Sequence, residues 1–475
     1  MHRPAGQGWC VATAYALILG VTTKPLGAQC EAIESGQAVA SDGVTGDLFG
    51  NSVSIDGTTI IVGAPDTDDL GDQSGAAYIF QLQEGAWNEH SKLLAGDGLA
   101  GDRCGFAVAI DGDVAVVGAP YHQDAGVYSG SAYVFRFDGT SWVEEQELAA
   151  SDAGVGQFFG WSVAIDGDVI VVGAIGVDET GAAYVFRFGG TAWNEEDRLT
   201  ISDGAALDFF GTSVDVQSGE NGVILVGAPQ DDDGGMNSGS AYVFPYVGGI
   251  DPWAEGTRLT APNVLPGDMF GSSVSLSGNV AIIAANNGDR GWDTGAAYVF
   301  RGAGANWNQE QQLSAPAEAP DANEFAFAVA IEGDVAIVGA MRDDGAAPTS
   351  GTAYVYSFDG ANWIRQAKLI ASEGSSHDLN GSSVSVSSDI VVVAARGSSF
   401  PGAVYAYDGL IDGIPDECQG VCPWDLDGGG VGITDFLTLL ELWGQDPGGP
   451  PDFDGDQNVG ITDFLELLAH WGECS

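Results

Sequence analysis

The chain has 475 residues, 72 of them glycine, and a formal charge of −53 from 67 acidic against 14 basic side chains. That balance argues against nucleic acid and anionic membrane surfaces as partners, because both are held through clusters of Lys and Arg. It suits cation binding, or simply a well-solvated surface.

From the N-terminus, Met1 to Ala28 reads as a secretory leader: His2 and Arg3 come first, an apolar stretch runs from Trp9 to Thr22, and Leu26-Gly27-Ala28 offers a small-residue cleavage site. The mature chain would begin near Gln29 and be secreted or held at the cell surface. No later stretch approaches the roughly 20 consecutive apolar residues a membrane helix needs, so no span is expected. In an exported protein the remaining cysteines, Cys30, Cys104, Cys418, Cys422 and Cys474, favour disulfides over metal thiolates.

Next comes an array. A mark of the form SGxAYVF recurs seven times, at Ser74–Phe80, Ser129–Phe135, Thr180–Phe186, Ser238–Phe244, Thr294–Phe300, Ser350–Tyr356 and Pro401–Tyr407, with copies 51 to 58 residues apart. A unit of this length, made of short apolar runs cut by Gly and Asp, points to stacked β units. The second unit predicts four strands: Gly105 to Ile110, Val114 to Gly118, Ser131 to Phe137 and Trp142 to Ala149. Asp-Gly pairs between them read as tight hairpins, since Gly accepts positive φ and Asp bonds locally to backbone. Second strands such as Val169 to Val172 are apolar without alternation, as in strands buried on both faces. Four-stranded sheets stacked in this way make a propeller.

The seventh unit stops at Asp408 without the fourth-strand Trp that the other six carry. Glu31 to Asp42 matches the outer-strand segment Val143 to Asp152, so the N-terminal strand is expected to complete the last sheet and hide its edges. The fold class expected is all-β, a seven-bladed β-propeller over residues 29–409 closed by an N-terminal strand. A linker at 410–422 and a small α-helical module at 423–475 follow it.

Phe49-Gly50 followed by Val62-Gly63-Ala64-Pro65, and Phe210-Gly211 followed by Val226-Gly227-Ala228-Pro229, resemble the FG-GAP repeats of integrin α-chain propellers and related bacterial exported proteins. The copies drift: Cys104-Gly105, Phe325-Ala326 and Asn380-Gly381 stand in for Phe-Gly. The resemblance implies the propeller fold. Integrin-like repeats also carry a DxDxDG calcium loop between the first two strands, but here that hairpin shrinks to turns such as Asp166-Gly167-Asp168, too few oxygens for a six- to eight-coordinate ion.

In an antiparallel meander the short turns share one face and the long loops the other, where binding is expected. On the long-loop face Asp66, Asp68, Asp69, Asp72, Asp231, Asp232 and Asp233 could offer oxygens to calcium, or be ordinary loop residues. Tyr121, His122, Tyr128, Arg290, Trp292 and Arg342 could contact a glycan or a carboxylate. Cys104, at a Phe position, is expected to be buried and free. No HExxH or GxSxG arrangement stands out, and carboxylates are too common to single out a catalytic pair, so no enzyme is expected.

After Gly409 the pattern changes. Val431-Gly-Ile-Thr-Asp-Phe-Leu returns 28 residues later, at Val459 to Leu465. Asp452, Asp454 and Asp456 occupy loop positions 1, 3 and 5, Asn458 position 7 and Asp463 position 12, the ligand spacing of an EF-hand-like calcium loop. Phe464, Leu465, Leu467, Leu468 and Trp471 then form one apolar helix side. The earlier copy has Asp425, Asp427 and Asp435, one residue fewer, and Gly429 in a ligand position.

This tandem module resembles a type I dockerin. The resemblance implies calcium as cofactor and a cohesin-like or cell-surface partner, met through Ile433-Thr434 and Ile461-Thr462. Cys422 and Cys474 could clasp the module and leave Cys30 to meet Cys418, one of three possible pairings. The functional expectation is a secreted or cell-surface, non-enzymatic binding or adhesion protein, with a protein or glycan ligand on the long-loop face. Its alternatives are an exported polysaccharide-active enzyme, which dockerin-like tails often accompany, and a purely structural envelope protein.

Overall fold

A computed structural model describes residues 34–249, 252–286, 295–315, 324–397 and 401–408. Among them, 28 strands form seven four-stranded antiparallel sheets. Blade 2 is typical: Ala107–Asp111, Val114–Ala119, Ser131–Phe137 and Trp142–Leu148 follow one another across the sheet. The second strand is buried along its whole length, as its unbroken apolar run predicts. No helix among the described residues is long and apolar enough to cross a membrane.

The last sheet is completed from the other end of the chain. Glu34–Ala38 pairs antiparallel with Ala403–Tyr407, with Ala38 opposite Val404 and Gln37 opposite Tyr405. The ring is therefore closed by hydrogen bonds, and no strand edge is left open at the junction.

The first strand of each sheet lies innermost, and consecutive inner strands pack on one another all the way round, last against first. Small polar side chains stitch them together. Ser52 and Ser54 accept the N–H groups of Val108 and Ile110 in the next blade, Ser383 and Ser385 those of Val53 and Ile55, and Ser273 and Ser275 those of Val329 and Ile331. Inner strands have no further sheet partner, so these hydroxyls satisfy donors that would otherwise be stranded. The hairpin aspartates belong to the same system. Asp56, Asp111 and Asp166 accept from Gly112, Gly167 and Ser218 of the following blade, not from their own turns as the sequence suggests. Asp138 and Asp359, between third and outer strands, do bond locally.

The paired Phe-Gly and Gly-Ala marks have a packing cause. Phe49 is fully buried against Tyr78 and Phe80, with ring centroids 5.5 and 5.8 Å apart, and Phe159, Phe210 and Phe270 repeat the arrangement. Burying such a ring stabilises by roughly 1.5–3 kcal/mol. Gly63 faces the backbone of Gly105 in the next blade so closely that a Cβ would lie 2.0 Å from its carbonyl oxygen. Gly118 meets Gly160, and Gly227 meets Gly271, in the same way. The two marks are thus two sides of one interblade contact.

Cys104, in place of a Phe, is buried and free, and burial pushes its thiol up to about 12. Blade 4 departs from the expected pattern. Its outer strand is only Arg258–Leu259, and Trp253 reaches Tyr246 through an isolated bridge. Pro245 on the third strand accepts the Ala254 N–H but has no N–H to return, which removes a bond from that stretch of the ladder. The first turn of the same blade spans 218–222, longer than the two residues of its sisters.

Candidate functional site

The loops between second and third strands, and those between blades, emerge at one end of the propeller. There each blade builds a corner around the Tyr of its AYVF strand. That Tyr stands opposite one outer-strand residue: Tyr78 opposite Lys92, Tyr184 opposite Arg198, Tyr242 opposite Arg258 and Tyr354 opposite Lys368. Carboxylates from the loops clamp the cation. Lys92 Nζ is 2.7 Å from Asp42 and 2.6 Å from Asp69, Arg198 lies 3.4 Å from Asp152 and 2.5 Å from Asp178, and Arg258 meets Asp203 at 3.2 Å and also Asp233. Burial works against the Lys92 charge, but its hydrogen bonds to Asp42 and Asp69 hold the ammonium above its ordinary value.

Blades 5 and 7 place neutral Gln312 and Gln37 opposite Tyr298 and Tyr405, and blade 2 alone among the described blades places an anion there, Glu147 opposite Tyr133. Around it lie Asp97, from the interblade loop, and Asp124 and His122, from the loop after the second strand. One ligand atom from each of these four side chains lies within 4.8 Å of the others. The imidazole is 1% exposed. Its Nδ1 donates to Asp102 Oδ2 at 2.9 Å, and that oxygen also accepts the Leu99 N–H. Its buried Nε2 makes no hydrogen bond and faces Asp124 at 3.3 Å, Asp97 at 3.9 Å and Glu147 at 4.0 Å. Burial opposes protonation of His122, but the Asp102 hydrogen bond and the charges of Asp102, Asp124 and Asp97 push the imidazole up to about 9. Tyr133 donates to Asp97 at 2.8 Å and Ser131 to Glu147 at 2.6 Å, which orients both carboxylates.

Beside this corner runs a string of aromatic rings. Trp161 and Phe106 are 4.7 Å apart, Phe106 and Tyr121 6.2 Å, and Tyr121 and Tyr128 5.5 Å, and Phe158 stacks on Tyr128 at 5.8 Å and 19°. Phe106 and Trp161 directly follow Gly105 and Gly160, at the entrance to their inner strands, where four sister blades carry Asn51, Thr212, Ser272 and Ser382. Phe158 also meets Tyr121 at 5.6 Å and Trp161 at 6.3 Å, and Tyr128, 42% exposed, is the most exposed of the five rings. The Arg103 guanidinium lies over Tyr121 at 5.2 Å and pairs with Asp66 at 3.2 Å.

The family model for the FG-GAP repeat matches seven segments, residues 34–80, 87–135, 142–186, 193–244, 253–300, 307–356 and 363–407. The chain belongs to the FG-GAP repeat family. Each matched segment starts in one blade's outer strand and ends in the third strand of the next, the phase in which the N-terminal strand closes the ring. No curated protein sequence matches this FG-GAP chain. Among solved structures, a chain of "Crystal Structure of Mitotic Checkpoint Complex" superposes with a TM-score of 0.48 at 10% identity, covering 83% of this chain and 99% of that one.

Within the FG-GAP propeller the loop residues expected from sequence separate into groups. Tyr121 and Tyr128 come together in the aromatic string. His122 lies beside them but is buried in the acidic corner, so it does not offer the exposed contact expected of it. Asp66 and Asp69 are occupied by Arg103 and Lys92, and Asp68 accepts the Gln73 N–H. Asp231 accepts from Tyr242 and the Asp233 N–H, and Asp232 from the Asn237 N–H. Those oxygens brace loops. Arg342 lies 3.1 Å from Glu324. Arg290, Trp292, the leader, Cys30, Cys418, Cys422, Cys474 and the whole 410–475 region with its calcium-loop residues lie outside the described residues. Sequence reasoning missed Asp97, Asp102, Asp124, Glu147, Phe106, Phe158 and Trp161. The available signal was comparison between repeats, each of these positions being read against its counterparts in sister blades.

Proposed function

We propose that this FG-GAP protein is an exported, non-enzymatic binding protein whose long-loop face takes a glycan. The observation that carries the reading is the string Trp161, Phe106, Tyr121, Tyr128 and Phe158 beside the carboxylates of the blade-2 corner. Flat rings offer a surface for the apolar faces of sugar rings, and flanking carboxylates accept their hydroxyls. A charge of −53 disfavours anionic polymers, so the glycan is neutral or cationic. The rigid, closed ring supports such a surface without ordering cost on binding.

The leader supports export. The spacing of Asp452, Asp454, Asp456, Asn458 and Asp463 supports a calcium-ordered, dockerin-like tail that docks or anchors the propeller to a protein or surface partner.

Affinity electrophoresis in gels containing neutral polysaccharides tests the glycan reading. The wild type is retarded, and Tyr128→Ala and Tyr121→Ala each weaken retardation about tenfold, the loss of about one ring contact. Equal mobility of wild type and variants in every neutral gel refutes it.

A further inference from the structure

We infer that the blade-2 corner is a binding site for a first-row divalent metal ion, held by His122 Nε2 with the carboxylates of Asp97, Asp124 and Glu147. Two independent observations lead there. The first is the buried Nε2 of His122, which makes no hydrogen bond and is aimed among three carboxylate oxygens at 3.3, 3.9 and 4.0 Å. The second is the propeller's own repetition. In blades 1, 3, 4 and 6 the residue opposite the corner Tyr is Lys92, Arg198, Arg258 or Lys368, whose charge neutralises the surrounding carboxylates. In blade 2 that position holds Glu147 while Asp97 and Asp124 remain, so a built-in cation has been exchanged for another anion. The ion takes the place of the missing side chain.

The donor set selects the metal. Calcium collects six to eight oxygens, whereas one imidazole with carboxylates suits Zn²⁺ and its neighbours. A tetrahedral ion with bonds of about 2.0 Å keeps its ligands roughly 3.3 Å apart. The Nε2 to Asp124 distance already has that value, and Asp97 and Asp124 are exposed enough to swing inward. Behind the ligand, Asp102 accepts the Nδ1–H, so the ring proton that an incoming ion displaces is the one on Nε2, the usual carboxylate–histidine support of a metal-bound imidazole. Asp102 is a positioning residue. The site faces the opposite way from the short inner hairpins.

The test is titration calorimetry of the full chain, stripped with chelator and then saturated with Ca²⁺ so that oxygen-only sites are filled, with Zn²⁺ as the probe. Wild type takes up one more Zn²⁺ than Glu147→Lys, a change that restores the sister-blade cation and preserves the fold, read as an unchanged or raised melting temperature in chelator. Asp124→Asn and His122→Gln weaken the same equivalent at least tenfold, and Asp102→Asn weakens it about 10- to 100-fold. Should Glu147→Lys misfold, exposed Asp124→Asn alone decides the matter. Equal Zn²⁺ stoichiometry and affinity in wild type and the folded variants, or full retention by His122→Gln, overturns the inference.

Discussion

Replacing Asp215 with Ser should stabilise the propeller, by an amount that grows with pH. Asp215 sits on the inner strand Ser213–Gln217, where its Oδ2 accepts the Leu276 N–H of blade 5 at 2.7 Å. Ser54, Ser275 and Ser385 do the same work for Ile110, Ile331 and Ile55 at 3.2 to 3.3 Å. Burial pushes the Asp215 carboxyl from 3.8 up to about 6. The folded state therefore binds this proton more tightly than the unfolded chain. Its contribution is fully present below about pH 3.8 and is lost as pH rises through about 6. The whole loss amounts to about 3 kcal/mol at roughly 1.4 kcal/mol per pH unit, and about 1.4 kcal/mol of it falls between pH 5 and pH 7.5. Asp215→Ser removes that dependence and gives up the short bond to the Val216 N–H, a pH-independent cost of about 1 kcal/mol. Urea unfolding of both proteins at pH 5 and pH 7.5 should show the variant gaining about 1.4 kcal/mol over wild type between the two conditions. A stability difference that does not change with pH would refute the reasoning.

Three further outcomes follow from the same contacts. Deleting residues 29–40 strips the pairing from Ala403–Tyr407 and uncovers Val404 and Ala406; calorimetry should record a melting temperature lower by at least 5 °C or a broadened transition, whereas an unchanged melt means the ring does not depend on that strand. Alkylation with peptide mapping should leave Cys104 unmodified in native protein and label it in 6 M guanidinium, because its thiol is both buried and held up to about 12; rapid native labelling would contradict the packing. In the full chain, Asp463→Asn should remove one Ca²⁺ equivalent while leaving the Zn²⁺ uptake of blade 2 untouched, and an unaltered Ca²⁺ count would remove the tail reading.

Much of the fold is legible in one sequence because repetition supplies its own alignment. The AYVF marks fix the third strands, unbroken apolar runs fix the second, and the missing outer strand after Asp408 points to Glu34–Ala38. Cys104 is readable as buried because its counterparts are Phe. Contacts that depend on how sheets stack are not legible in this way. Asp56 reads as a turn residue, and only the neighbouring blade gives it the Gly112 N–H. Glu147 reads as one more acidic residue in VEEQEL, and it acquires meaning only through its register opposite Tyr133, where four sister blades carry Lys or Arg and the other two carry Gln312 and Gln37. His122 looks like a loop residue, yet the interblade loop carrying Asp102 folds over it. Phe106 and Trp161 are hidden inside what reads as strand, though each replaces a polar residue of a sister repeat.

The central claim is that ligand binding belongs to the long-loop face at blades 2 and 3, and hydrogen–deuterium exchange tests it most directly. With the full chain and a neutral oligosaccharide that it retains, protection is predicted over residues 119–130 and 156–162 and nowhere on the short-turn face. Protection confined to the short turns, or to the tail, would contradict it.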